Sequence, residues 1–149
     1  MRRTISVATI LASMVLGLAA VPWPGASSYA EGALAVGMPG NDPSNGFRYA
    51  SNSDKSREDA KDDAMARCRA SKFPNTGKAC RIIEIFHNEC VAVAFNGNLN
   101  TPSTAVGWGI APDSQTANDR AQTMCETMRH GRGRECKLDG DATCDGDAR

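Results

Sequence analysis

The apolar positions along this chain follow three different rhythms. From Ile5 to Val21 they run almost unbroken, interrupted only by Ser6, Thr9 and Ser13 and by no charge. Over 57–70 and 114–129 small apolar residues recur every four positions: Ala60, Ala64 and Cys68, then Ala117, Ala121 and Cys125. Residues four apart share one helical face, so both segments are predicted helices with a narrow small-residue stripe. Ser56 and Asp113 each precede a stripe by four positions and are of the type that caps a helix N-terminus. Asp59 completes a short capping box with Ser56, and Gly131 is placed to end the second helix. Shorter runs rich in β-branched and apolar residues predict strands at 33–37, 46–50, 80–86, 90–95 and 106–110. His87-Asn88-Glu89 reads as the turn of a hairpin. Residues 38–45 and 96–104 are rich in Gly, Asn, Pro and Ser and read as connections.

The two helical stripes belong to a longer correspondence. Each is followed by a second cysteine, Cys80 or Cys136, and each is preceded by two strands. The expected architecture is therefore α+β, an antiparallel sheet of about six strands with two helices on one face. Its unit is β-β-α-β, duplicated, with halves at about 32–86 and 90–138. The Gly- and Asp-rich tail, 145–149 in particular, is expected to be loose.

The unbroken apolar run changes the picture of where the protein resides. Arg2 and Arg3 precede it, and Ser28-Tyr29-Ala30 comes after a Pro/Gly stretch. A basic start, an apolar centre and a small-x-small site describe a secretory signal peptide, here residues 1–30 with cleavage near Ala30. The expected location is secreted or extracytoplasmic, and 31–144 form one domain. Loss of Arg2 and Arg3 leaves fifteen basic against seventeen acidic residues, a formal charge of −2. That balance argues against electrostatic capture of nucleic acid, and no later segment is apolar enough for a membrane span.

All six cysteines lie beyond the leader: Cys68, Cys80, Cys90, Cys125, Cys136 and Cys144. An even count in an exported chain reads as three disulfides. Metal is the competing reading; there is no C-x-x-C and no Cys/His cluster to support it. Six cysteines allow fifteen pairings. Equivalent halves should bond equivalently, which proposes Cys68–Cys80 and Cys125–Cys136 and leaves Cys90–Cys144.

Taken together these features are familiar. Gly32-Ala33-Leu34-Ala35, the Ala60/Ala64/Cys68 helix, Cys80-Arg81-Ile82-Ile83 and Cys90-Val91-Ala92-Val93-Ala94 resemble the small exported bacterial proteins grouped as domain of unknown function 4189, several of them mycobacterial. The resemblance runs from Gly32 to Cys144 and implies the fold and export; it implies no activity.

Candidate chemistry is sparse. The two histidines, His87 and His130, lack a nucleophile elbow or an H-E-x-x-H setting, and paired cysteines offer no thiolate. Glu58, Asp59, Asp62 and Asp63 suit a helix N-terminus. Asp139-Gly-Asp141 and Asp145-Gly-Asp147 lack the closing Glu of a calcium loop. No catalytic, cofactor-binding or metal-ligating residue is assigned and no cofactor is expected. Trp108, His87, Arg132 and Arg134 are the candidate partner contacts. The expected function is a secreted, non-catalytic binding or effector module whose partner is a protein or an envelope component. The alternatives are an inhibitor of a secreted hydrolase, using loop 38–45 or 96–104, and a small hydrolytic enzyme built on His87.

Overall fold

The computed structural model describes residues 31–97, 103, 105–131 and 133–149. The expected signal peptide, residues 1–30, and its expected cleavage site lie outside them. The first half runs β1 (Glu31–Gly37), β2 (Arg48–Lys55), α1 (Arg57–Arg69), α2 (Pro74–Lys78) and β3 (Cys80–Phe86). The second runs β4 (Cys90–Phe95), β5 (Val106–Ala111), α3 (Ser114–Arg129), β6 (Lys137–Leu138) and β7 (Thr143–Cys144). The α+β class and the two stripe helices stand as expected. The single sheet does not: the strands form two antiparallel sheets, β2-β1-β3 and β5-β4-β6, with β7 also pairing β4.

The reason lies in the two central strands. Both β1 and β4 are buried on both faces. Their alternation is small against large, where a sheet wet on one face alternates apolar against polar. Ala33 and Ala35 meet Ala60, Ala64 and Cys68 of α1. Ala92 and Ala94 meet Ala117, Ala121 and Cys125 of α3. The large residues between them, Leu34 and Val36 on β1 and Val91, Val93 and Phe95 on β4, form a separate core with Phe47, Phe86 and Val106. One sheet with helices on one face would have left those large side chains in water. Two sheets facing each other, each backed by its own helix, bury both sets. A bulge in β3, where Ala35 pairs with Ile82 but Leu34 with Glu84, shifts the strand's phase. Cys80 and Ile82 thus serve the α1 side and Phe86 the inter-sheet core.

Three disulfides staple the fold. Cys68–Cys80 ties the end of α1 to the start of β3, Cys125–Cys136 ties α3 to the segment before β6, and Cys90–Cys144 ties β4 to β7. These are the pairs that equivalence of the halves proposes. The sheets are also joined at their side by Tyr49, whose hydroxyl donates to Asp139 Oδ2 at 2.6 Å. Burial, together with that hydrogen bond, pushes the Tyr49 phenol well above its ordinary range.

The helix ends use the residues the sequence nominates, with one change. Ser56 Oγ accepts from Asp59 N at 3.3 Å and Asp113 Oδ1 from Thr116 N at 2.8 Å. At the far end of α3, His130 itself takes the left-handed conformation (φ 50°) ahead of Gly131. Four carboxylates are held below the usual range: Asp113 chiefly by the Thr116 N–H, Asp63 chiefly by Lys55, Glu126 chiefly by the Cys136 N–H, and Asp42 chiefly by Ser44. A depressed folded pKa contributes stability that is complete above the unfolded value, about 4, and is lost as pH falls through the folded one. Melting temperature is therefore expected to hold from neutral pH down to about 5 and to decline below about 4. The double substitution Asp113→Asn/Glu126→Gln should flatten that decline in thermal melts across acid pH; an unchanged slope would exclude these groups as its source.

Candidate functional site

The sandwich has two ends. Gly37 pairs with Cys80, and Phe95 with both Val106 and Lys137, so 38–47, 70–79, the described residues 96, 97, 103 and 105, and 133–136 gather at one end. At the other lie the turn 87–89, the start of α3 and the tail.

At the loop end the chain is locked by short polar contacts. Residues 38–45 form two successive 3-10 turns, Pro39–Asn41 and Pro43–Asn45. Proline supplies the helical φ at the start of each. Asp42 caps the second turn through Ser44 N at 2.9 Å, and the Ser44 contacts hold its carboxyl below the usual range. Gly40, Asn41, Asp42, Ser44 and Asn45 are exposed, whereas Pro43 is buried and anchors the loop. Beside it, Asn96 and Ser103 close the base of the next loop. Asn96 Oδ1 accepts from Ser103 Oγ at 2.8 Å and from Ala105 N at 3.1 Å. The two loops are joined directly, since Ser103 N donates to Pro43 O at 3.2 Å. Residues 98–102 and 104 lie outside the described residues. A small recess of about 80 Å³ is lined by Phe95, Asn96, Gly97, Arg134, Glu135 and Lys137.

The opposite end holds the histidine of interest. His87 is exposed on the β3–β4 turn, and its Nδ1 lies 3.7 Å from Oδ2 of Asp145, a side chain wholly withdrawn from solvent. The same oxygen accepts from Asn88 N at 3.3 Å, and Asp145 N donates to Glu89 O at 2.9 Å. Asp147 N donates to Asn88 Oδ1 at 3.4 Å, and Arg149 O accepts from Ser114 N at the start of α3. The tail expected to be loose is thus folded under the turn, fastened by Cys90–Cys144 and by the burial of Asp145. His87 and its carboxylate are brought together, but as the clasp of a turn at the surface.

The candidate contacts do not converge. Arg134 is exposed at the loop end, His87 at the other, and Arg132 lies outside the described residues. Trp108 is half-buried against the inter-sheet core, opposite Val93, where a tryptophan packs between layers. Three of the four acidic residues at the start of α1 are spent locally: Glu58 on Lys61, Asp59 on Ser56, Asp63 on Lys55 and Asn52; Asp62 is exposed. Among the described residues no group of three or more His, Cys, Asp or Glu side chains is placed to hold a metal, and no helix is long and apolar enough to cross a membrane.

The family model described as Domain of unknown function (DUF4189) matches residues 31–143, both halves and both ends of this sandwich. The chain belongs to the DUF4189 family. No curated protein and no solved structure matches it. For this DUF4189 member the sequence nominated the two loops separately. Their junction through Ser103 and Pro43 was not readable, because it pairs two backbone groups in segments without periodicity.

Proposed function

We propose that this DUF4189 protein is an exported binding module that engages a macromolecular partner through its loop end. The observation that carries this reading is the bond between Ser103 N and Pro43 O, which ties the base of the second loop to a first loop already held in shape by its two 3-10 turns. A surface ordered beforehand gives up little conformational freedom when it binds. Three disulfides and the absence of a membrane-crossing helix among the described residues agree with an extracytoplasmic location. Release by cleavage near Ala30 belongs to the same reading. The common strand-strand-helix-strand order of the halves, with the Ala-x3-Ala-x3-Cys stripe in each, supports an internal duplication. A non-catalytic role is supported by His87, which clasps a turn and faces solvent.

One feature favours the inhibitor of a secreted hydrolase as the second reading. The double 3-10 turn at 39–45 presents exposed backbone on a proline-fixed frame, the form a hydrolase inhibitor offers to an active-site cleft. The test is capture from envelope and host extracts by the oxidised protein, with Asn41→Arg/Ser44→Arg at the loop tip as the comparison. The expected result is a component retained by the native protein and lost from the tip variant. If that component is a hydrolase whose activity falls on binding, the inhibitor reading replaces the effector one. Equal retention by both proteins would remove the loop end as the contact.

A further inference from the structure

Charge is distributed unevenly along this nearly neutral chain. Between Asp63 and Glu84 there is no acidic residue, but there are five basic ones: Arg67, Arg69, Lys72, Lys78 and Arg81. All five are exposed, on the last turn of α1, on the link to α2, on α2 and at the start of β3. Arg67 and Arg69 suit the C-terminus of α1 and Lys78 that of α2; Lys72 and Arg81 lie at no helix end. Among the described residues Arg69, Lys72 and Lys78 take part in no ion pair. In the middle of this run stands Phe73, 44% exposed, the one large hydrophobic side chain in that condition among the described residues.

The segment that presents Phe73 is rigid. Cys68–Cys80 closes it at the base. Ser71 N donates to Cys68 O at 3.2 Å, Phe73 N to Ser71 Oγ at 3.2 Å, and Gly77 N to Phe73 O at 3.0 Å. Gly77 lets α2 come close to the end of α1, since a Cβ there would lie 2.8 Å from Arg69 O. Where the two helices meet there is an open recess of about 270 Å³ lined by Arg69, Pro74, Gly77 and Lys78. One exposed apolar side chain thus stands in a stretch of chain whose charged residues are all basic, and two of those cations, Arg69 and Lys78, line the recess.

We propose that this face docks the protein on an anionic lipid surface, with Phe73 entering the boundary between headgroups and acyl chains and Arg69, Lys72 and Lys78 meeting headgroup phosphates. This rests on the reading of the protein as a binding module, and it names the partner for the α1–α2 flank of the loop end. Charge complementarity selects an anionic partner. The solitary ring selects a lipid surface over a folded acidic protein: protein interfaces are built around a core of several apolar side chains, whereas a fluid interface admits a single projecting one beside basic residues.

The test uses the oxidised protein as released into the medium by an exporting host. It is sedimented with vesicles of phosphatidylglycerol mixed with phosphatidylcholine, and with vesicles of phosphatidylcholine alone. Retention is expected on the anionic vesicles only, weakening as salt is raised. Arg69→Gln/Lys78→Gln should weaken it about 25-fold, at about fivefold per charge. Phe73→Ser should weaken it about tenfold or more. All three side chains are exposed, so circular dichroism should match the native protein. Failure to bind, equal binding to neutral vesicles, or unchanged binding by both variants overturns the proposal. Binding to polyglutamate without binding to vesicles would also overturn it, while leaving the binding-module reading intact; that reading falls only if the loop-tip comparison fails as well.

Discussion

Gly109→Ala is expected to destabilise the protein by about 3 kcal/mol, the upper part of the range for overpacking, although in an ordinary strand the same change would be mildly stabilising. On β5 the side chains alternate strictly. Val106, Trp108 and Ile110 face the inter-sheet core, and Gly107, Gly109 and Ala111 face α3. The helix lies so close that a Cβ on Gly109 would overlap Ala117 O and sit 2.7 Å from Ala121 N. On Gly107 it would overlap Ala121 O and approach Cys125 Cα to 3.0 Å. These neighbours are backbone, which cannot turn aside as a side chain would. Replacing Gly by Ala removes freedom from the unfolded chain and by itself adds about 0.4–1 kcal/mol, so the sign of the effect is diagnostic. A lowered midpoint in urea denaturation, with Ile110→Val costing only about 1 kcal/mol as the control, is the expected result. A Gly109→Ala protein more stable than the native one would mean that α3 does not rest on β5 in this way.

The same close approach explains which parts of the fold could be read from the chain. The Ala-x3-Ala-x3-Cys stripes are local and periodic, so the helices and their capping residues were visible. The disulfide pairs came from matching the halves. What the strands do with their second face was not visible, because Leu34-Ala35-Val36 and Val91-Ala92-Val93 read simply as apolar runs. Only the size difference between alternate residues carries the information that one face meets a helix and the other a sheet. The short helix α2 was missed as well. Pro74 suits a first helical position, but a five-residue helix has no periodicity to detect.

The candidate sites divide along the same line. Asp145-Gly146-Asp147 has the composition of a solvated tail, yet Asp145 is buried. Its partners, the turn at His87-Asn88 and the Glu89 carbonyl, lie more than fifty positions away in the chain, and burial enforced at that separation leaves no local trace. The run of cations around Phe73 was there to be read by charge alone. Each of those residues, taken singly, is an ordinary exposed side chain at a helix end or in a loop. Significance arises only when all of them prove exposed on one disulfide-closed segment that also carries an exposed phenylalanine.

Removal of Cys90–Cys144 is expected to cost more than removal of either other disulfide. The bond spans 54 positions, against 12 for Cys68–Cys80 and 11 for Cys125–Cys136. Loop-closure entropy assigns about 4 kcal/mol to the longest and about 3 kcal/mol to each of the shorter ones. The long bond also holds β7 on β4, where Cys90 pairs with Cys144 and Val91 with Thr143, and with it the burial of Asp145 under the turn. Two behaviours are therefore distinguishable in a Cys90→Ala/Cys144→Ala protein. If the tail is an integral part of the fold, the whole molecule melts earlier in one transition, by more than in Cys68→Ala/Cys80→Ala. If the tail is an accessory strap, it detaches alone: amides of 143–149 lose their exchange protection and protease trims the chain there, while the main transition moves little. The contacts favour the first outcome. Arg149 O serves Ser114 N, Asp145 serves the turn between the two sheets, and Ala148 packs on the α3 core. Loss of the tail would thus loosen the start of α3 and the one short link that joins β3 to β4, and neither sheet could keep its place without them.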